Sequence, residues 1–509
     1  MATINKNQHM KLYLLIFLIA GLFLFSDCSS QKENPVPKES YKVETIETPE
    51  GLTVETGGLD FLPDGRLVAC FLRGEIMIYD PKTKKWSLFA EGLHEPLGVL
   101  AISNSEILVM QRPELTRIKD TNGDGEADLY ETVTDDFGIT GNYHEFAYGP
   151  VRDKEGNLFI ALNSASSGGG IRPEVRGRLD TMGRGVDKAM FSVVPYRGWI
   201  MKLTPDGKLH PYASGFRSPN GIGFDLQGDL FATDNQGDWE GTSKLYHIQE
   251  GNFYGHPASL IWKKGWNKGN PFDLPLQELD SMRTKAAVLF PQDIIANSPS
   301  QPLCDVTEGK FGPFAGQLFV GEMNSARIVR VMLEKVGGEL QGACIPFIDG
   351  KGLRKGNNRL AFAPDGSLWT GQAAYGWGGD HGIQRIVFTG KQPADVYSMN
   401  LTTKGFDLTF TQPLNDTTAL NPDNYKFQNY YYEYHKKYGS ARMDEKPIPV
   451  TDIKISGDHK KVSLTLATLQ QGYVYQLNLG DIQTQSGDSL DNKIICYTVK
   501  NLVDAGVVR

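Results

Sequence analysis

The chain has 509 residues, 40% hydrophobic and 22% charged, with a formal net charge of −8 at pH 7. Such a length supports a large core and more than one domain, and the acidic balance argues against nucleic acid as a partner. The 56 glycines and 10% aromatic residues suit a β-rich, turn-rich fold.

The N-terminus stands apart from the rest. A short polar start, made basic by Lys6 and Lys11, precedes an apolar run over residues 12–25 and then Ser26-Asp27-Cys28-Ser29-Ser30. The run has signal-peptide length. The cysteine that follows it resembles a bacterial lipoprotein acylation site, with Asp27 in place of the usual small residue. Residues 1–28 are therefore read as a signal peptide ending at Cys28, and residues 29–40 as a tether. The protein is expected to be exported and held to a membrane by lipid on Cys28, in the bacterial periplasm or at the cell surface. An uncleaved N-terminal anchor is the other reading.

From residue 41 to about 390 one unit recurs: a short strand, a tight turn containing glycine, and a return strand. It is clearest in residues 215–238 and 359–369, is repeated at 58–69 and 146–160, and is looser at 97–110 and 312–322. Ile222 and Phe224 alternate with small or polar residues, as a half-buried strand requires, and Gly228 can take the positive φ of the turn. Six such hairpins outside any helical pattern predict an all-β, six-bladed β-propeller over 41–390. After about residue 391 the texture changes. In residues 406–410, 462–466 and 473–479 apolar side chains fall at every second position, which predicts a β-sandwich domain of Ig-like type over 391–509. The tyrosines between 425 and 438 suit either strand packing or stacking on sugar rings.

Several groups carry chemistry. Asp120, Asn122, Asp124, Glu126, Asp128 and Glu131 match the oxygen-ligand spacing of a calcium loop, with Gly125 at the sharp turn. In a hairpin protein such an ion is expected to stiffen a loop. His144, beside Glu145 at the entrance of the third hairpin, is a candidate general base. Arg217 is a fixed cation suited to an anionic oxygen. Asn220 and Asp234 flank the same hairpin and could instead hold a metal. Arg112, Glu322, Asn324 and Gln372 occupy equivalent strand ends in other hairpins, so polar groups are expected around one mouth. Cys70, Cys304, Cys344 and Cys496 form no C-x-x-C motif, and both disulfides and free buried thiols agree with their spacing.

With these residues in view, about 45–390 resembles the glucose/sorbosone dehydrogenase family, six-bladed propellers that use pyrroloquinoline quinone (PQQ). Gly215-Phe216-Arg217-Ser218-Pro219-Asn220-Gly221 is similar to the family's G-x-R-N-P-x-G, with Ser218 in place of its Asn. Residues 251–257 resemble the G-x-N-Y-G-x-P that follows. The resemblance implies an oxidoreductase acting on sugar CH–OH groups, His144 as catalytic base, Arg217 on the quinone, and a separate electron acceptor. Asn324 falls where a cofactor-binding lysine is expected, and Arg359 is what remains of a pair of arginines. Residues 218–234 also resemble metal-dependent sugar lactonases, with Asn220 and Asp234 as ligands. A non-catalytic propeller that binds carbohydrate or protein is the third reading.

Overall fold

The computed structural model describes residues 38–184, 189–376 and 378–504. Cys28 and the apolar run before it lie outside them. The chain is all-β as expected. Among the described residues, helix is confined to short segments such as Leu276–Met282 and Asp416–Ala419.

Five of the six recurrent hairpins become the first two strands of a four-stranded antiparallel sheet. In the fifth, only Leu318–Glu322 of the expected 312–322 unit is strand, and it pairs with Pro299–Cys304 from further upstream because residues 305–317 are a long connection. The first strands are Thr56–Phe61, Gly98–Ala101, Ala147–Arg152, Gly221–Phe224, Pro299–Cys304 and Asn357–Phe362. Each packs on the first strand of the next sheet, and the last packs on the first, so six sheets close a ring consistent with a β-propeller. Closure uses the two ends of the segment. Tyr41–Ile46 supplies the fourth strand of the last sheet by pairing with Gly382–Phe388, from Tyr41 opposite Phe388 to Ile46 opposite Ile383.

Small residues let the innermost strands approach one another. A Cβ on Gly98 would lie 1.7 Å from the carbonyl oxygen of Gly149 in the next sheet. The axis is filled by Arg359, whose guanidinium donates to the carbonyls of Gly57, Leu97, Asn220 and Asn358. It also lies 4.7 Å from the centre of the Tyr148 ring. A cavity of about 30 Å³ lies beside it, room for a single water.

Residues 391–504 form two facing sheets. One holds Val396–Leu401, Gly405–Phe410, Lys461–Leu466 and Val450–Ile455. The other holds Ile494–Thr498, Val474–Leu479, Tyr425–Tyr431 and Met443–Ile448, and is continuous with the fifth sheet of the ring. The join pairs Gly342 with Thr498, Ala343 with Tyr497 and Cys344 with Cys496. Between the two sheets Phe406 stacks on Phe427 at 5.7 Å, and Met332, Ala343 and Ile345 of the ring share the same core. Tyr425 is buried in this core, and Tyr430 in the adjoining one with Cys344, Val474 and Cys496. Cys70, Cys304, Cys344 and Cys496 are free, buried thiols.

A buried ion pair crosses the same boundary. Arg330 sits 3.4 Å from Asp395 and donates to the Val396 carbonyl at 2.6 Å. Burial, offset by the charge of Arg330, leaves the Asp395 carboxyl pushed up to about 6. Removing one member of such a pair typically costs roughly 3–5 kcal/mol. Truncation after Gly390 would remove Asp395 and uncover Met332, Ala343 and Ile345. The truncated ring is therefore expected to be poorly soluble and to melt well below the full chain, as soluble yield and calorimetry would show. A ring that folds alone with an unchanged melting temperature would refute this.

Candidate functional site

Asp234 ends the return strand Leu230–Asp234 and is fully buried. One carboxylate oxygen accepts from the amide of Arg217 at 2.9 Å, the other from the amide of Ser218 at 2.7 Å. Burial and the neighbouring Glu240 push this carboxyl up. Asp234 therefore pins the loop before the hairpin. Each of its oxygens thus has one backbone donor, and among the described residues it is not part of a group of three or more His, Cys, Asp or Glu side chains placed to hold a metal.

The pinned loop aims Arg217 across Gly237, where an added Cβ would lie 1.7 Å from the guanidinium Nε. That Nε donates to Asp238 at 3.0 Å. The other Asp238 oxygen meets His256 Nε2 at 2.9 Å and accepts from the Met190 amide at 2.9 Å. All three side chains, Arg217, Asp238 and His256, are buried. The terminal nitrogens of Arg217 have no protein hydrogen bond among the described residues, so its free donors remain available. His256 was not singled out from the sequence. The only signal was its place in the Gly251–Pro257 motif, next to a proline.

His144 is set from the other side. Its amide donates to Asn142 Oδ1 at 3.0 Å, and the same oxygen accepts from the Ser166 amide at 3.0 Å. Its Nδ1 lies 2.8 Å from the Ser164 carbonyl. A carbonyl can only accept, so Nδ1 carries the proton and Nε2 holds the lone pair. Nε2 has no partner among the described residues. Burial, then Arg217 and Arg112, lower the imidazole pKa to about 4, so the ring is neutral at pH 7. Ser164 also ties the two halves together, since its amide donates to the Arg217 carbonyl at 3.1 Å and its hydroxyl to the Phe216 carbonyl at 3.0 Å.

Arg112 completes the group. It is paired with Glu95, donates to the carbonyls of Asn142 and Tyr143 at 3.2 and 2.9 Å, and covers the Phe146 ring at 4.7 Å. It therefore holds the loop that carries His144, with its own charge neutralised. The structure brings His144, Arg217 and Arg112 together.

Other expected members of the mouth do different work. Glu145 turns back to accept from the amide and hydroxyl of Thr140 at 2.7 and 2.9 Å, so it braces the loop and does not tune His144. Gln372 is buried inside the last sheet, 3.3 Å from both Asn357 and Gln384. Arg359 belongs to the axis. Glu322 accepts from the amides of Asn297 and Ser298, and Asn324 is exposed in the turn that follows it. Asn220 Nδ2 approaches Met323 Sδ at 3.2 Å, while its buried Oδ1 has no partner.

The acidic loop also departs from its expectation at one end. Asp120 accepts from the amides of Gly123 and Gly125 at 2.6 and 2.9 Å, Asn122 from that of Asp124, Asp124 from that of Glu126, and Asp128 from that of Thr121. Glu131 instead lies in the strand Leu129–Thr134 opposite Arg117 and pairs with it at 2.8 Å. The strand register carries its carboxylate away from the loop. Among the described residues, no group of three or more His, Cys, Asp or Glu side chains is placed to hold a metal.

Residues 78–267 match the model of a family described as a domain of unknown function, DUF7133. No curated relative matches the chain. Among solved structures, the chain aligns with a Thermus thermophilus protein assigned as an oxidoreductase (glucose dehydrogenase), at 20% identity and a TM-score of 0.48, over 68% of this chain and 100% of that one. The PQQ-bound aldose sugar dehydrogenase of Streptomyces coelicolor aligns at 19% identity and 0.43, over 69% and 99%. The PQQ domain of Coprinopsis cinerea pyranose dehydrogenase aligns at 12% and 0.46, over 69% and 96%. At these values the fold and the site rest on the protein's own sheets and side chains.

Proposed function

We propose that the ring is a six-bladed β-propeller with an appended Ig-like sandwich, and that it is an exported, lipid-anchored sugar dehydrogenase whose mouth is built around His144 and Arg217. One observation carries this reading. A neutral histidine, locked in one tautomer by Ser164, presents an unpartnered Nε2 next to a guanidinium with free donors. Nε2 takes the proton of a sugar hydroxyl, and Arg217 holds the oxygen as its charge develops. A positioned base of this kind contributes roughly a hundred- to ten-thousand-fold in rate.

PQQ, when bound, would receive the hydride. The residues present fit that tricarboxylate poorly. Arg359 is consumed by four carbonyls and Arg112 by Glu95 and two carbonyls, so Arg217 is the one cation of the three with open donors. The hydride of the sugar C–H would instead pass to a separate quinone acceptor, which is reduced as the sugar hydroxyl becomes a carbonyl. The test is dye reduction over a panel of aldoses, with PQQ and calcium and with soluble quinones. Sugar-dependent reduction supports the dehydrogenase. Sugar binding without reduction would instead make the mouth a carbohydrate-binding site, a reading favoured by the exposed rings of Tyr143 and Tyr438.

Calcium enters this reading as an ion that stiffens the loop of Asp120, Asn122, Asp124 and Asp128, without Glu131. Loops of low rigidity in extracellular modules bind calcium at about 10⁻⁴–10⁻³ M. Millimolar calcium is expected to raise the melting temperature by about a few degrees over chelator. Glu131→Gln should leave that shift unchanged, and Asp120→Asn should remove it. Identical melting curves with calcium and with chelator would refute the ion.

A further inference from the structure

The segment following Tyr425–Tyr431 leaves the sandwich and crosses to the mouth. Tyr434 donates to the Gly255 carbonyl at 2.5 Å and packs 5.4 Å from Trp239, while Arg283 covers its ring at 4.4 Å. Lys436 donates to the Phe272 carbonyl at 3.2 Å. The amides of Gly439 and Ser440 donate to the carbonyls of Gly237 and Gly241 at 2.9 and 2.8 Å, and Tyr438 forms a β-bridge with Asp238. A loop tied at this many points is a fixed wall.

The fixed wall presents one ring to solvent. Tyr438 is 69% exposed, the most exposed of the large hydrophobic side chains described. The Arg217 guanidinium lies 5.4 Å from its ring centre. A large aromatic held rigidly and left uncovered beside a buried charge pair needs a reason, since exposure leaves its apolar surface in water. Tyr143, which is 50% exposed, borders a cleft of about 320 Å³ next to Arg112 and Asn142. It is a neighbouring cleft, lined by neither Tyr438 nor Arg217.

We infer that Tyr438, delivered by the C-terminal segment, is the stacking wall of the site and that its ligand is a neutral pyranose. This rests on the sugar reading above. A pyranose offers an apolar ring face to the aromatic and hydroxyls to Arg217 and His144 Nε2. The charge of the mouth is balanced, because Arg217 is paired with Asp238 and Arg112 with Glu95, and His144 is neutral. A neutral polyol therefore gains hydrogen bonds without a stranded charge, whereas a uronate has no uncompensated cation to meet it.

The test is calorimetric titration of the full chain with neutral aldohexoses and with galacturonate. The wild type should bind a neutral sugar more tightly than galacturonate. Tyr438→Ala should weaken the neutral sugar by about three- to tenfold, the scale of one aromatic contact, and Tyr438→Phe should not. In turnover the same loss should fall on KM with kcat unchanged. Thermal stability should not move, because the ring is exposed. Wild-type binding that Tyr438→Ala leaves intact overturns the Tyr438 assignment alone. Tighter binding of galacturonate overturns the neutral class. No binding of any sugar by the wild type overturns the sugar reading and this inference with it.

Discussion

Replacing His144 by glutamine is expected to lower kcat roughly a hundred- to ten-thousand-fold, with sugar binding and melting temperature near wild type. Glutamine is the informative replacement because its amide can still donate to the Ser164 carbonyl, yet it offers no basic nitrogen at the mouth. The pH profile gives a second, independent readout. Burial first, then Arg217 and Arg112, set the imidazole pKa at about 4. In the wild type kcat/KM should therefore be flat near pH 7 and fall only as the pH drops through about 4. Arg217→Gln removes a positive neighbour, so the acid limb should move to higher pH. A glutamine variant with undiminished turnover would remove His144 from the chemistry, and an acid limb unmoved in Arg217→Gln would separate the two groups.

Local chemistry was legible wherever the chain solves its problem locally. Period-two alternation and glycine turns placed five of the six hairpins, because a half-buried strand and a tight turn need those residues within a few positions of each other. The fifth was missed because a long connection separates Pro299–Cys304 from Leu318–Glu322. His144, Arg217 and Arg112 were legible as strand-end residues for the same reason. Roles set by closure of the ring were not. Arg359 reads as a cofactor cation, but it lies on the axis, where carbonyls from other sheets reach it. Glu131 completes a ligand spacing on paper, and a strand register places it against Arg117 instead. The alternation after residue 391 revealed strands. It held no trace of the pairing of residues 342–344 with 496–498, which fuses the sandwich to the fifth sheet. Tyr438 was hidden in the same way, in a run of tyrosines of which others are core residues.

Asp238→Asn is expected to be the most destabilising single change at the mouth, by about 3–5 kcal/mol, because it strands the buried charge of Arg217. Burial opposes the ionisation of Asp238, but the charge and hydrogen bond of His256 and the charge of Arg217 hold its carboxyl well below the usual range. A carboxyl with a depressed folded pKa stabilises above its unfolded value of about 3.9, and that stability is lost as the pH falls through the folded pKa. His144 acts in the same direction over a different window. Its folded pKa of about 4 lies below the ordinary 6.5, so the unfolded chain takes up its proton first as the pH falls between those values. That uptake removes about 3 kcal/mol of stability. Denaturant melts at pH 7, 5 and 3 should show both losses in the wild type. In Asp238→Asn the loss between pH 6.5 and 4 should persist, while the loss below about pH 4 should shrink. Asp238 also raises the His144 pKa, so the acid limb of kcat/KM in this variant should move to lower pH, opposite to Arg217→Gln. A variant as stable as wild type at pH 7 would show that Asp238 does not anchor Arg217, and a limb that moves upward would show that it does not act on His144 through its charge.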